Sequence, residues 1–282
     1  MGLRINTNVQ ALVAQRNLKS NRASLDKTLE RLSSGSRINH AGDDAAGLAI
    51  SENLKAQIRG VGQAERNAQD GISLVQVAEG GLQEIGNILI RMRELGVQAA
   101  SDTVGDKERS FLDIEFQQLT SELDRIAQST QFNGMPLLCG KAGSFEIQIG
   151  TGNNPVIDRL KLFDGSQIDV NPISLGINLA SVADKSGAQN CLASIDRALN
   201  QVTGIRAEFG AMQNRLQSIT SNLGISKENL SAANSRIRDA DIAEDVADLT
   251  KNQILIQAGT SVLGQANQTM KTALNLLGGS QG

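Results

Sequence analysis

The feature that most constrains this chain is an apolar residue that recurs every seven positions along several long segments. The longest unbroken series comprises Ile195, Val202, Phe209, Leu216, Leu223, Leu230 and Ile237. A seven-residue apolar repeat places one stripe along a helix and is typical of the seam of a coiled coil or helical bundle. The sequence therefore predicts a mainly α fold of long paired helices.

The same period marks three further segments. It appears in Ala11, Leu18, Leu25 and Leu32, in Leu54, Val61, Ala68, Val75, Leu82 and Leu89, and in Ile242, Leu249, Ile256, Leu263, Met270 and Leu277. Another helix has core positions in a four-three spacing: Leu112, Phe116, Leu119, Leu123 and Ile126. We expect helices at about 3–33, 45–99, 106–128, 186–237 and 242–277. The short turn before residue 106 predicts that the third helix folds back antiparallel on the second.

Two joints, at Arg31–Leu48 and Arg236–Asp241, separate the helices near the chain ends. Ser33-Ser34-Gly35-Ser36 ends the first helix, because Gly lowers helix propensity and Ser competes for backbone hydrogen bonds. Asp43 or Asp44 can cap the second helix, and Asp241 can cap the last one. Ser186 has the spacing of a capping box. The two chain ends are predicted to form one coiled segment, and the middle helices another.

Residues 130–185 have a different character, since Gly, Asn and Pro are frequent there. Phe145-Glu146-Ile147-Gln148-Ile149 alternates apolar and polar residues, as a half-buried strand does. After a turn-rich segment, residues 157–162 can return as a second strand. The sequence predicts a β-hairpin at about 145–162.

Composition excludes several classes of function. The net charge is −3, which disfavours a nucleic-acid-binding protein, because such a protein needs a clustered basic face. Aromatic residues make up 2% of the chain, which disfavours a pocket that stacks bases or sugars. No run reaches the roughly 20 apolar residues of a membrane span, so no membrane partner is expected.

Candidate catalytic chemistry is sparse. His40 is the single histidine, and it lies in a polar, glycine-flanked joint rather than after a strand. A catalytic triad would have to include it, so the simpler interpretation is a surface or joint-packing histidine. Cys139 and Cys191 have no metal-ligand spacing and are expected to be unpaired, although a bridge between them remains open. We expect no enzyme activity, no cofactor and no metal.

The terminal helices carry more apolar surface than a helix pair can bury. Their stripes are widened by Ala11, Ala14, Ala247, Ala258, Ala266 and Ala273. A pair formed by the helices at 3–33 and 242–277 leaves much of this apolar surface exposed to water, so further helices are needed to cover it. The sequence therefore predicts self-association or a partner.

A resemblance to a known family rests on long blocks of sequence. Leu32-Ser33-Ser34-Gly35-Ser36-Arg37-Ile38-Asn39, followed by Asp43-Asp44-Ala45-Ala46-Gly47-Leu48-Ala49-Ile50-Ser51, resembles the N-terminal signature of bacterial flagellin. The similarity extends from Asn6 to Gly134 and resumes from about Ser186 to Leu277. Flagellins commonly lack cysteine, so Cys139 and Cys191 are departures from the family.

The resemblance implies a non-enzymatic structural subunit that polymerises into the flagellar filament. It implies an inner-tube domain of 1–43 with 241–282 and an outer-tube domain of 44–240. It also implies export through the flagellar channel without a cleaved signal, an extracellular location, and contacts with an export chaperone, the filament cap and hook-junction proteins. The alternative is a hook–filament junction protein, which shares related terminal helices.

Several residues acquire roles from the resemblance. Ile242, Leu249, Ile256, Leu263, Met270, Leu277, Leu18, Leu25 and Leu32 become the polymerising inner-tube seam. Arg91, Leu95 and Glu115 match the surface read by the flagellin-sensing Toll-like receptor, although filament-contact or solvated residues would look the same. Leu274, Leu276 and Leu277 match the leucines read by cytosolic inflammasome sensors.

A second column of the last helix leaves two interpretations open. It reads Val246, Gln253, Thr260, Asn267 and Leu274, with polar residues at its three central positions. A polar residue at a seam position can fix the register and number of partner helices. Alternatively, this column faces the aqueous lumen of the filament.

Overall fold

The computed structural model describes residues 8–141, 143–166 and 168–278, and for Met270 and residues 273–278 it describes the backbone alone. The helices are α1 (Val9–Ser34), α2 (Ala45–Ala99), α3 (Asp106–Ser129), α4 (Lys185–Arg238) and α5 (Ile242–Gly278). The strands are β1 (Gln131–Phe132), β2 (Met135–Pro136), β3 (Ser144–Gln148) and β4 (Arg159–Asp164). The predicted mainly α fold is confirmed. The predicted helical residues 3–7 lie outside the described ranges.

The chain divides into two compact units. One unit comprises Met1–Ala56 with Leu230–Gly282, and the other comprises Gln57–Asn229. The predicted inner-tube and outer-tube domains, with boundaries near residues 43 and 240, remain a prediction about the assembled state.

The core of the 57–229 unit is built from the seven-residue series. Its buried side chains include Val61, Ala68, Val75, Leu82 and Leu89 of α2, Phe116 and Leu123 of α3, and Ile195, Val202, Phe209 and Leu216 of α4. Ion pairs Arg93–Asp196 at 2.8 Å and Lys227–Glu65 at 3.0 Å flank the core and show that α2 and α4 run antiparallel. The apolar period therefore identified the residues that hold this unit together.

The turn between α2 and α3 is fixed by a buried arginine. The guanidinium of Arg109 donates to the carbonyls of Ala99 and Ser101, both at 2.9 Å, and to the Asp106 carboxylate at 2.8 Å. The last carbonyls of a helix have no partner within the helix, so a cation there satisfies them and opposes the helix dipole. This contact makes α3 return beside α2.

The predicted hairpin is confirmed with shifted bounds. Strands β3 and β4 pair antiparallel, with Ile147 opposite Leu160 and a register shift at Phe145/Glu146. Residue 157 was expected to lie in the second strand, but Ile157 is exposed and precedes β4. The Phe163 ring lies 4.8 Å from that of Phe145 and 5.2 Å from that of Phe209, so the hairpin packs on α4.

One local prediction needs correction, and one strand pair was not predicted. Ser186 does not cap α4, because the helix already begins at Lys185 and the Ala188 N–H donates to the Asp184 carbonyl. The strand pair β1–β2 was not predicted, although Asn133-Gly134 between apolar residues is a strong hairpin signal.

The two cysteines are buried and unpaired, as expected. Burial raises the pKa of the Cys191 thiol to about 11. The thiolate is the reactive form of cysteine, so this side chain acts as a small apolar residue of the core.

Candidate assembly interface

Helices α1 and α5 form an antiparallel pair within one unit. The Asn8 amide oxygen accepts the N–H of Ala11, which caps α1, while its Nδ2 donates to the Ala266 carbonyl of α5, both at 3.0 Å. At the other end of the pair, the Arg31 guanidinium lies 3.9 Å from the Asp245 carboxylate. Because Asn8 contacts Ala266 and Arg31 lies near Asp245, the two helices run in opposite directions.

The seam between α1 and α5 contains most of the predicted residues whose side chains are described. Leu18, Leu25 and Leu32 of α1 are half-buried, as are Leu249, Ile256 and Leu263 of α5. Ile242 is 53% exposed and does not lie in this seam, because α5 begins there, before its first buried position at Asp245. The predicted seam side chains of Met270 and Leu277 lie outside the described residues.

The α5 seam has a different second column of residues facing α1 from the predicted column that begins at Val246. Gln253, Thr260 and Asn267 are exposed, and Val246 is 45% exposed. The column facing α1 is instead Asp245, Asn252, Gly259 and Ala266. The predicted register column is therefore wrong for this helix pair.

Small residues explain this choice of face. A Cβ placed on Gly259 would lie 3.1 Å from Cδ1 of Leu18, so the missing side chain lets the leucine approach the α5 backbone. Ala266 is buried beside the Asn8 contact, and Ala14 is buried on α1. A Thr or Gln in these positions would hold the helices farther apart.

The outer faces of the pair are apolar and exposed. Exposed fractions reach 59% for Val9, 55% for Leu12, 60% for Ile254 and 57% for Val262. An open groove of about 550 Å³ lies between the helices, and Val9, Val13 and Val262 are among its lining residues. Exposed apolar side chains that border an open groove are typical of an interaction site.

The two joints are tied to each other by hydrogen bonds to backbone carbonyls. The Ala240 N–H donates to the Gly35 carbonyl at 3.0 Å, and the Arg37 side chain donates to the Ile237 carbonyl at 2.8 Å. Gly35 has a φ of 67°, the left-handed conformation that ends a helix and favours glycine. The ends of α1 and α4 are therefore held together at the joints.

The two adjacent aspartates of the first joint have separate roles. Asp44 caps α2, since its Oδ1 accepts the Gly47 N–H at 2.8 Å. Asp43 lies 2.6 Å from the Lys27 ammonium and accepts the N–H groups of Asn39 and His40. The Lys27 hydrogen bond and these backbone donors lower the pKa of Asp43 to about 2.

His40 lies at the surface of the same joint. Its Nε2 is 2.7 Å from a carboxylate oxygen of Glu30, and its side chain is 74% exposed. This places an exposed, carboxylate-paired histidine in the joint, as the simpler interpretation predicted. Within the described ranges, no group of three or more His, Cys, Asp or Glu side chains is arranged to hold a metal.

The Arg91 surface is an exposed ion-pair cluster in the 57–229 unit. Arg91 donates to Glu115 at 2.9 Å and to Glu94 at 3.0 Å, and these hydrogen bonds raise the pKa of Arg91. Leu95 is 1% exposed and packs in the core. Leu95 therefore cannot form part of a directly read surface in this conformation, whereas Arg91 and Glu115 can.

The C-terminal leucines give no site geometry, because the side chains of Leu274, Leu276 and Leu277 lie outside the described residues. No helix in the described part of the chain has the length and hydrophobicity that a membrane span requires.

Protonation of Asp43 should loosen the first joint. The folded pKa of about 2 lies below the ordinary aspartate pKa of 3.8, so the carboxylate contributes its full stability above about pH 4 and loses it as the pH falls towards 2. NMR titration of the carboxyl carbon should give a midpoint near 2 in the native chain. In Lys27→Gln the midpoint should rise but stay below 3.8, because the backbone donors remain. A titration midpoint near 3.8 for Asp43 in the native chain would contradict its contacts with Lys27, Asn39 and His40.

Filling the space at Gly259 should weaken the α1–α5 pair. Gly259→Leu overpacks the contact with Leu18 and should lower stability by about 1–3 kcal/mol. The matched control is Gly264→Leu, since a Cβ there meets no atom of the described residues within 4 Å. Limited proteolysis should cleave α1 and α5 faster in the first variant than in the control. Equal cleavage would show that the close approach at Gly259 is unimportant.

Comparison with known proteins assigns the family. Residues 5–142 match the bacterial flagellin N-terminal helical region, and residues 192–277 match the bacterial flagellin C-terminal helical region. A flagellin of Halalkalibacterium halodurans is 45% identical over 97% of this chain and 99% of its own length. The flagellar filament 33 kDa core protein of Treponema phagedenis is 42% identical over 97% and 99%, respectively.

Solved structures agree with this assignment. The crystal structure of Bacillus cereus flagellin is 34% identical, with a TM-score of 0.50, over 56% of this chain and 88% of that one. A hook-associated protein of Vibrio parahaemolyticus has a TM-score of 0.57 over 70% of this chain and all of its own, but at 16% identity it is similar in fold alone. The two family regions and the high coverage of the relatives lead to one conclusion: this chain belongs to the bacterial flagellin family.

Proposed function

We propose that this protein is the structural subunit that self-polymerises into a bacterial flagellar filament. The observation that carries the proposal is the exposed apolar surface of α1 and α5, which a single chain leaves uncovered. Identical subunits that contact each other head to tail, through different surfaces, form an open helical filament. Relatives named flagellin and flagellar filament core protein, aligned over nearly their whole lengths, support the same role.

A hook–filament junction protein is the less favoured alternative. The related helices of such proteins explain the fold similarity to a hook-associated protein at 16% identity. The relatives at 40–45% identity are flagellins and filament core proteins instead. The role is structural, and the residues named above act by packing and ion pairing.

The finer assignments rest on family membership. In the proposed filament, 1–43 with 241–282 form the inner tube, and 44–240 form the outer tube. The subunit is exported to the cell exterior, and an export chaperone, the filament cap and hook-junction proteins are its proposed partners. In a host, the Arg91 surface is the proposed contact for the flagellin-sensing Toll-like receptor, and the C-terminal leucines are the proposed contact for inflammasome sensors.

Charges on the apolar outer face of α5 should block polymerisation while leaving the monomer folded. Ile254→Asp combined with Val262→Asp places two carboxylates where the side chains are 60% and 57% exposed. The double variant should remain helical by circular dichroism and form few or no filaments in negative-stain images and sedimentation. Burying an unpaired carboxylate at an interface is strongly unfavourable, which is the reason for the loss.

The matched control is Gln253→Asp combined with Thr260→Asp, which adds the same charge at exposed polar positions of the same helix. If this control polymerises normally, the polar column is outside the subunit contacts, as a lumen-facing column would be. Normal filaments from Ile254→Asp with Val262→Asp would contradict the proposed assembly surface.

Receptor recognition should depend on the sign of the charges at Arg91 and Glu115. Arg91→Ala with Glu115→Ala should reduce signalling by monomers in a reporter-cell assay. The reversed pair, Arg91→Glu with Glu115→Arg, keeps an ion pair across α2 and α3 but presents opposite charges. It should also signal weakly while melting near the native temperature, since exposed ion pairs contribute little stability. Native signalling by the reversed pair at equal dose would exclude charge recognition at this surface.

A further inference from the structure

The β1–β2 turn contains an unusual pair of backbone conformations. Asn133 has a φ of 50° and Gly134 a φ of 77°, and Asn133 is the one non-glycine residue with a positive φ among those described. Phe132 pairs with Met135 across this two-residue loop. Two positive φ values in such a loop are typical of a type I′ turn, which Asn-Gly favours.

The same two residues form a reactive pair. The backbone nitrogen of Gly134 can attack the Cγ of Asn133, forming a C–N bond and expelling the side-chain amide nitrogen as ammonia. Water then opens the resulting succinimide at either carbonyl, which gives aspartate or isoaspartate. Gly134 has no Cβ to hinder the attack, and both residues are exposed to water. This Asn-Gly pair is the single one in the chain.

The turn is also weakly held. Each strand has two residues, and Pro136 opposite Gln131 has no N–H to donate. Phe132 is only partly buried against the core, Met135 is 42% exposed, and both line an open groove of about 300 Å³. A short strand pair with few buried contacts opens locally at low cost, without unfolding of the unit. Local opening frees Asn133 from the turn conformation and allows the ring closure.

We propose that Asn133-Gly134 is a spontaneous modification site at which Asn133 converts to isoaspartate as the subunit ages. Isoaspartate adds one carbon to the main chain, so the two-residue loop can no longer keep Phe132 opposite Met135. The disturbance reaches the core, because the Leu137 N–H bonds the Thr130 carbonyl at 3.1 Å and Leu137 and Leu138 are buried. Conversion therefore loosens the packing around β1 and β2.

The site can be tested by peptide mapping of the full-length chain after incubation in warm, mildly alkaline buffer. Isoaspartate is detected by mass spectrometry and by labelling with an isoaspartate-specific methyltransferase. Asn178 is the internal control, since it is exposed in a turn but is followed by the bulky Leu179. Asn133 should convert several-fold faster than Asn178 and give mainly isoaspartate. Conversion no faster than that of Asn178 would overturn the proposal.

Two variants test the structural consequence. Asn133→Gly keeps a turn that tolerates positive φ but lacks the amide, so its melting temperature should stay constant while that of the native chain falls during incubation. Asn133→Asp adds the charge without lengthening the main chain and, before incubation, should melt close to the unaged native chain. If this variant already melts as low as the aged native chain, the added charge rather than the longer backbone causes the loss, and the proposed mechanism fails.

Discussion

A pair of helices can bury one stripe of each partner, and this limit governs the unit that joins the two chain ends. In the α1–α5 pair, the facing stripes contain Leu18, Leu25, Ile256 and Leu263, which are half-buried. The apolar side chains on the outer faces of the two helices stay exposed. Burial of apolar area is the dominant favourable term in folding and association. A chain with this much uncovered surface gains stability from further copies, so the property that leaves the lone subunit incomplete also drives assembly.

In the 57–229 unit, helices of the same chain bury one another's apolar stripes. Helices α2, α3 and α4 surround a common core, and the β3–β4 hairpin covers part of α4 through Phe163 and Phe209. Arg109 holds the turn that brings α3 back beside α2. The outer faces of this unit carry ion pairs such as Arg91–Glu115 and also exposed apolar side chains such as Ile90, Phe111 and Ile114.

Contacts within the joints fix the residues at which the helices end. Gly35 ends α1, Asp44 begins α2, and the Gly35 carbonyl accepts the Ala240 N–H from the opposite joint. Asp43 adds a charge-assisted contact with Lys27, which its lowered pKa reflects. Because the terminal backbone groups of a helix lack partners within it, these contacts decide where each helix stops.

The sequence by itself determined the helices, their core stripes and the family. A period of seven residues fixes which side chains share a face, whatever lies opposite, so Val75, Leu82, Val202 and Phe209 were identified as core residues without coordinates. The sequence could not determine which side of the apolar stripe of α5 faces α1. The column at positions 246, 253 and 260 and the column at 245, 252 and 259 have the same seven-residue period. The tertiary structure decided that choice, since the packing distance between two helices depends on where Gly259 lies opposite Leu18. The tertiary structure also buries Leu95 in the core and leaves Ile242 exposed. Whether a side chain is buried depends on which element packs against it, and a local sequence pattern does not contain that information.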